Sequence, residues 1–145
     1  MNILIAEDDI DTIRIYDKLL RERGHDVTLT NDGQECLAIY HEEMNALHDK
    51  AKSIYSCLPF DTVVLDYKIP SMDGFEVARK IMSINSHQRI ILASAYSKDI
   101  FEDAAEFFNL PIEIIQKPFA GSKLLDLLEN KGGNRERYSN PKILD

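Results

Sequence analysis

The sequence predicts an α/β protein in which five parallel strands form one doubly wound sheet with helices on both faces. Short β-branched runs alternate with longer segments of helical period along the 145 residues. The first, third and fourth runs are almost continuously apolar, as strands buried on both faces of a parallel sheet must be. Right-handed crossovers place helices on both faces, so we expect a functional site beyond the carboxyl ends of the strands.

The predicted strands and helices follow one another as (βα)₅. Runs rich in β-branched residues predict strands at 2–6, 26–29, 62–65, 89–93 and 113–115. Apolar residues at helical spacing predict helices at 9–23, 33–56, 74–83, 98–108 and 121–129. Gly24 suits the end of the first helix. Asp73 and Ser97 suit N-caps, because their side-chain oxygens can accept hydrogen bonds from the first helical turn.

The second predicted helix is unusually long. Apolar residues recur in it at alternating spacings of three and four, namely Leu37, Tyr40, Met44, Leu47, Ala51, Ile54 and Leu58. A helix over 33–56 would be about 36 Å long, whereas a strand of five or six residues spans about 17 to 20 Å. Two interpretations stay open: the helix overhangs the sheet and its stripe forms a homodimer or binds another helix, or the second half of the segment is a loop.

The composition is that of one acidic domain. The chain is 44% hydrophobic and 29% charged, with a formal net charge of −8. A negative net charge disfavours nucleic-acid binding, which depends on basic surfaces. The sequence has no apolar run of about 20 residues to span a membrane, and Met1 leads directly into a strand without a signal-peptide pattern. We therefore expect a cytoplasmic protein that binds neither nucleic acid nor membranes, with its two cysteines reduced.

Polar residues follow four of the predicted strands at the same edge of the sheet. Glu7 and Asp8 follow the first strand, Asp66 follows the third, Ser94 the fourth and Lys117 the fifth. If the strand order is 2-1-3-4-5, the first and third strands are neighbours and their three carboxylates converge. Like charges at short distance repel strongly unless a cation lies among them. Because Mg²⁺ prefers carboxylates with water and phosphate, we infer a magnesium site.

Simpler interpretations of these residues stay open at this point. Asp8 could cap the first helix, although Asp9 suits that N-cap better. Asp66 could be a strand-end carboxylate that caps a turn. Ser94 could simply end its strand, and Lys117 could be an ordinary solvated lysine.

Four motifs in order resemble the receiver domain of response regulators in two-component signalling. They are the Glu7-Asp8 pair, the segment Asp-Tyr-Lys-Ile-Pro-Ser-Met-Asp-Gly over 66–74, Ser94-Ala95, and Lys-Pro-Phe over 117–119. The resemblance covers residues 2 to about 130, so we expect a receiver domain at 1–130 and a flexible polar tail at 131–145. It implies a flavodoxin-like fold with strand order 2-1-3-4-5, like that of stand-alone chemotaxis regulators.

The resemblance also implies roles for the acidic residues. Asp66 would be phosphorylated by the phosphohistidine of a sensor histidine kinase or phosphotransfer protein. Asp8 and Asp66 would bind Mg²⁺ directly, Glu7 would act mainly through metal-bound water, and Lys68 would contribute its backbone carbonyl. Lys117 would neutralise the phosphoryl oxygens.

Phosphorylation would then act as a switch. Ser94 would hydrogen-bond a phosphoryl oxygen and draw its loop inward, which changes the surface that a downstream protein binds. A receiver of this kind is a phosphoacceptor with weak self-dephosphorylation rather than an enzyme. Two other functions stay open: a phosphohydrolase, which would usually carry a second acid where Lys68 stands, and a pseudo-receiver that only binds proteins.

Three positions depart from the family pattern or affect the lifetime of the phosphoryl group. Receivers often carry an aromatic residue three positions before the lysine, and Ile114 stands there. The sequence therefore does not predict a readout based on rotation of an aromatic ring at this position. Lys68 and Tyr96, each two residues after a site residue, are bulky, and we expect them to shield the acyl phosphate from water.

Overall fold

The computed structural model describes residues 1–50, 58–95, 112–130 and 142–144. The helix predicted at 98–108, the predicted N-cap Ser97 and the shielding residue Tyr96 lie outside these residues. So do Ala51 and Ile54 of the apolar stripe on the second predicted helix.

Six strands and four helices are present in the described residues. The strands are β1 (Asn2–Ala6), β2 (Asp26–Thr30), β3 (Thr62–Asp66), β4 (Ile90–Ser94), β5 (Ile112–Gln116) and β6 (Lys142–Leu144). The helices are α1 (Ile10–Glu22), α2 (Gly33–Lys50), α3 (Gly74–Ile84) and α4 (Gly121–Glu129). The last of these corresponds to the fifth helix predicted from the sequence.

All strands pair in parallel in the order β2-β1-β3-β4-β5-β6. The predicted doubly wound sheet and its 2-1-3-4-5 order are therefore confirmed. The register sets Asp66 of β3 beside Ala93 of β4, and Ser94 beside Gln116 of β5. The sequence pattern did not predict β6, which pairs with β5 from within the segment expected to be a polar tail.

The two faces of the sheet carry separate apolar cores, because successive side chains of a strand point to opposite faces. On one face, Leu4 and Ala6 of β1 pack with buried residues of α2 and α3. On the other face, Ile3 and Ile5 pack with buried residues of α1 and α4. Both faces are covered, which explains why the strands lack polar alternation.

Helix α2 packs on the sheet through three buried residues that recur every four positions. Cys36, Tyr40 and Met44 are buried against the sheet. The Tyr40 hydroxyl donates a 2.8 Å hydrogen bond to Gln88 Oε1, and the Gln88 amide donates one of 3.0 Å to the carbonyl of Phe60. This satisfied network fixes the helix over the amino end of the sheet, where an unpaired buried amide would be costly.

Two of the predicted helix caps are present. Asp9 accepts a 3.0 Å hydrogen bond from the backbone of Thr12, and Asp73 accepts one of 2.8 Å from the backbone of Glu76. Helix α1 thus begins directly after the Glu7-Asp8 pair, and α3 begins at the far end of the loop that follows Asp66.

Candidate functional site

The site lies where β1, β3, β4 and β5 end. Backbone pairing continues just beyond the strands, since Tyr67 donates to the carbonyl of Ala93 at 2.8 Å and Lys117 to the carbonyl of Ser94 at 2.7 Å. These bonds fix the backbone on either side of β4 at the point where its neighbours turn away. The residues after the strands are therefore held by the sheet itself.

Lys117 connects two of the predicted site carboxylates. Its Nζ lies 3.0 Å from Glu7 Oε2 and 3.2 Å from Asp66 Oδ1. The two acid side chains are almost completely buried, whereas the lysine side chain is 23% exposed. The Lys117–Pro118 peptide bond is cis. The structure thus brings residues from β1, β3 and β5 into direct contact.

Glu7, Asp8 and Asp66 form a group that fits a divalent cation. One carboxylate oxygen from each lies within 4.8 Å of the others, and Asp8 is exposed while its two partners are buried. Hard cations such as Mg²⁺ prefer carboxylate oxygens and retain waters, so an open side of the group suits them. The donor set and its exposure therefore fit Mg²⁺.

The electrostatics of Asp66 agree with this chemistry. Burial, followed by the negative charge of Glu7, raises the pKa of Asp66 to about 6, although Lys117 opposes the shift. For Lys117, burial disfavours the charged form, but its contacts with Glu7 and Asp66 outweigh burial and raise its pKa. A single lysine thus compensates only part of the crowded negative charge, and a bound cation would compensate more.

Asp9 has a structural role in the described contacts. Its side chain caps α1, and its backbone N–H donates a 3.2 Å hydrogen bond to Glu7 Oε1. The cap lowers the pKa of Asp9 through hydrogen bonds from Thr12. This agrees with the interpretation that Asp9, and not Asp8, caps the helix.

The loop after Asp66 is fixed at its far end by close backbone approach. Gly74 donates a 2.8 Å hydrogen bond to the carbonyl of Tyr67, and a Cβ at Gly74 would collide with the carbonyl oxygen of Asp66. Only glycine leaves room for α3 to start this close to β3. The loop therefore has little freedom to move away from the carboxylates.

The same loop is held from the side by the start of α2. Gly33 donates a 3.0 Å hydrogen bond to the carbonyl of Pro70, and Asp32 accepts a hydrogen bond from the hydroxyl of Ser71. Ser71 has a positive φ of 72°, which non-glycine residues rarely adopt. Sequence reasoning missed this contribution of Asp32, because the two loops are distant in sequence and share no local pattern.

The remaining predicted residues lie at or near this edge. Ser94 is buried at the end of β4, one residue beyond the register partner of Asp66. Lys68 is exposed in the loop after β3. Ile114 is fully buried in the face of the sheet that packs on α2 and α3. An aliphatic core residue therefore occupies the position at which many receivers carry a rotating aromatic ring.

A second feature that sequence reasoning missed is a pair of stacked rings beside the site. Tyr16 of α1 and Phe119 have ring centroids 6.2 Å apart and planes inclined by 8°. Phe119 belongs to the loop that begins at Lys117. The sequence pattern does not identify this pair, because the partner of Tyr16 depends on how α1 packs against the loop after β5.

The chain belongs to the response regulator receiver domain family, because residues 3–129 match the sequence profile of that family. The resemblance deduced from the four motifs is therefore confirmed. The family comprises phosphoacceptor signalling domains of two-component systems. In the described residues, no helix has the length and apolar character needed to cross a membrane.

Curated relatives agree with this family. A two-component response regulator of Arabidopsis thaliana is 28% identical over 120 residues, which cover 79% of this chain and 18% of that protein. The response regulator ArlR of Staphylococcus aureus is 31% identical over 123 residues, covering 85% of this chain and 48% of the relative. The chain thus spans less than half the length of these relatives.

Solved structures agree in fold. A CheY-like receiver domain protein from Methanospirillum hungatei has a TM-score of 0.69 and 21% identity, over 94% of this chain and 96% of its own. The CheX-CheY complex with BeF₃⁻ and Mg²⁺ from Borrelia burgdorferi has a TM-score of 0.66 and 23% identity, over 87% and 84%. At these identities, the likeness establishes the fold.

Proposed function

We propose that this chain accepts a phosphoryl group on Asp66 in a Mg²⁺-dependent reaction and thereby switches its binding to other proteins. The observation that carries the proposal is the position of Lys117 Nζ, 3.0 Å from Glu7 and 3.2 Å from Asp66, beside a cluster of three carboxylates. A cation fixed next to a buried acid is what phosphoryl transfer to a carboxylate needs. Membership in the receiver family supports the same conclusion.

The proposed reaction transfers the group from a phosphohistidine of a sensor kinase or phosphotransfer protein. An oxygen of the Asp66 carboxylate forms the new bond to phosphorus while the P–N bond breaks, and the imidazole nitrogen takes the electron pair. Asp8, Asp66 and the backbone carbonyl of Lys68 would hold Mg²⁺, and Glu7 would act mainly through water. When bound, the cation supplies neutralisation of charge on the phosphoryl oxygens.

Lys117 and Ser94 would act on the phosphorylated state. The ammonium group of Lys117 neutralises a phosphoryl oxygen, and the hydroxyl of Ser94 donates a hydrogen bond to another. Ser94 ends a buried strand, so a shift of its loop towards the phosphoryl group changes the adjoining surface. Because Ile114 is aliphatic, we propose that repacking around it, rather than rotation of an aromatic ring, accompanies the change.

The biological setting is part of the proposal. We infer a cytoplasmic response regulator with one receiver domain at 1–130, which binds a kinase or phosphotransfer protein and a downstream protein, and binds no nucleic acid. Its self-dephosphorylation would be weak, with Lys68 and Tyr96 slowing the entry of water. Helix α2, which the structure describes to Lys50, would provide the surface of a homodimer.

The test is phosphorylation by a small acyl-phosphate donor with and without Mg²⁺. We expect one phosphoryl group per chain, detected by intact-mass spectrometry, which depends on Mg²⁺ and disappears in Asp66→Asn. Asp126→Asn, which changes an exposed acid on α4, is the matched control and should behave like the native chain. Sustained turnover of phosphoesters would instead indicate a hydrolase, and absence of any modification would indicate a pseudo-receiver. Either result would overturn the proposal.

A further inference from the structure

We infer that Tyr16 is a positioning residue for Lys117, acting through its stacking contact with Phe119. The inference rests on the proposed function only for the role of Lys117 in phosphoryl transfer. The stacking contact between Tyr16 and Phe119 is independent of phosphorylation. Tyr16 is buried, and its ring lies nearly parallel to that of Phe119, with centroids 6.2 Å apart. Offset stacked rings at such distances attract each other beyond their apolar burial.

The loop between β5 and α4 has few points of support. At its start, the backbone of Lys117 donates to the carbonyl of Ser94 at 2.7 Å. Of the three residues that follow, Pro118 and Ala120 are exposed, and only Phe119 packs against the core formed with α1 and α4. Among the three residues that follow Lys117, Phe119 is therefore the one that packs against the described core, and Tyr16 is its stacking partner.

The anchor matters because the lysine has a demanding position. Its long side chain must place Nζ near both Glu7 and Asp66, which come from other strands. A four-carbon side chain loses much rotational freedom when it is held in one conformation. If the backbone of Lys117 were displaced, this entropic cost would favour loss of its contacts with Glu7 and Asp66. Fixing Phe119, two residues along the chain, restricts that displacement.

Helix α1 is well placed to transmit this support. It begins at its N-cap Asp9, directly after the acid pair, and carries Tyr16 further along the same helix. The tyrosine is buried, and the charges of Glu7, Asp66 and Asp9 add to burial in raising its pKa. Its hydroxyl therefore stays neutral beside the acids. Helix α1 thus supports both the acid pair that precedes it and the loop that carries Lys117.

The experiment compares Tyr16→Leu, which removes the ring, with Tyr16→Phe, which keeps it. Leu20→Val is the matched control. Leu20 is buried in the same core on the same helix, but the stack on Phe119 involves Tyr16 and not Leu20. Two quantities are measured. The rate constant of phosphorylation by a small acyl phosphate is determined at saturating Mg²⁺, and the dissociation constant of Mg²⁺ is determined by titration.

We expect Tyr16→Leu to lower the rate constant by about 10- to 100-fold, because a displacement of about 1 Å in a reacting geometry can cost about 100-fold in rate. The Mg²⁺ dissociation constant should not rise, because the carboxylates are fixed by β1 and β3 and a displaced lysine repels the bound cation less. Tyr16→Phe and Leu20→Val should keep the native rate. Phe119→Leu should reproduce the loss, and Tyr16→Leu/Phe119→Leu should lose no more than either single variant, because both changes remove one contact.

A readout without phosphate separates this inference from the proposed function. NMR of the Lys117 ammonium group in the Mg²⁺-free protein should give a slowly exchanging signal in the native chain, Tyr16→Phe and Leu20→Val, and lose it in Tyr16→Leu. An unchanged signal in Tyr16→Leu, equal losses in Tyr16→Leu and Leu20→Val, or equal losses in Tyr16→Leu and Tyr16→Phe would each overturn the inference. If the native chain accepts no phosphate, the proposed function fails and the NMR comparison still decides.

Discussion

The ammonium nitrogen of Lys117 lies 3.2 Å from Oδ1 of Asp66, although Asp66 ends β3 and Lys117 follows β5, which are not neighbours in the sheet. The contact spans the end of β4, which lies between them. It exists because parallel strands direct their carboxyl ends to one edge and because the loop after β5 turns back over that edge.

Replacement of Asp66 by asparagine should stabilise the metal-free protein above pH 6. Burial and Glu7 raise the pKa of Asp66 to about 6, so the folded state favours its protonated form. That contribution to stability is fully present below the unfolded-state pKa near 4 and is lost as the pH rises through about 6. In chelator at pH 7.5, Asp66→Asn should be more stable by about 1 to 3 kcal/mol in urea unfolding.

The pH dependence supplies the control for this prediction. Asp126→Asn, an exposed change on α4, should follow the native stability curve at every pH. Identical curves for the native chain and Asp66→Asn between pH 4 and pH 8 would contradict the account of the crowded carboxylates.

Mg²⁺ should raise the melting temperature of the native chain. A ligand that binds only the folded state at 100 times its dissociation constant stabilises it by about 2.7 kcal/mol. Asp8→Asn should abolish most of this effect, because Asp8 is the exposed member of the carboxylate group. Asp11→Asn changes a nearby exposed acid outside the group and should keep the full shift. Equal shifts in both variants would argue against the proposed ligands.

Gly74→Ala should cost more stability than Gly121→Ala. A Cβ at Gly74 would meet the backbone carbonyl of Asp66, which cannot move without displacing β3. At Gly121 the nearest atom is the terminal methyl of Leu19, which can rotate away. We expect a loss of about 1 to 3 kcal/mol at Gly74 and less at Gly121 in urea unfolding. The reverse order would show that the loop after Asp66 is not tightly packed.

Cys36 should be inert to thiol reagents in the folded protein. Its side chain is completely buried, and burial raises its pKa to about 12, so the reactive thiolate is scarce at pH 8. The measurement uses Cys57→Ser, which leaves one thiol, and follows the absorbance of a disulfide reagent. Reaction should begin only when urea unfolds the chain. Rapid labelling without urea would mean that the core beneath α2 opens readily.

The local sequence pattern was sufficient to predict the first five strands and most of the site. Buried parallel strands must be continuously apolar, so the ends of the strands could be predicted from the sequence. The positions of Glu7, Asp66 and Lys117 at the sheet edge followed from those ends. The helix caps could be predicted because they are local interactions: Asp9 and Asp73 each accept a hydrogen bond from a backbone amide three residues later.

Contacts that depend on tertiary packing could not be predicted from the sequence. The stack of Tyr16 on Phe119 and the bond from Ser71 to Asp32 join segments whose spacing carries no common period. The pairing of residues 142–144 with β5 was missed because it follows a polar stretch and is only three residues long. Such features follow from how the elements meet, which a single sequence pattern does not encode.

The most direct test of the central claim is to map the phosphorylated residue. The chain is incubated with a phosphohistidine-containing donor protein and Mg²⁺, then treated with borohydride, which reduces an aspartyl phosphate to homoserine. Peptide mass spectrometry should find homoserine at position 66, only when Mg²⁺ was present and never in Asp66→Asn. Conversion of another acid, or of none while the donor transfers its phosphate to a known receiver in a parallel reaction, would contradict the claim.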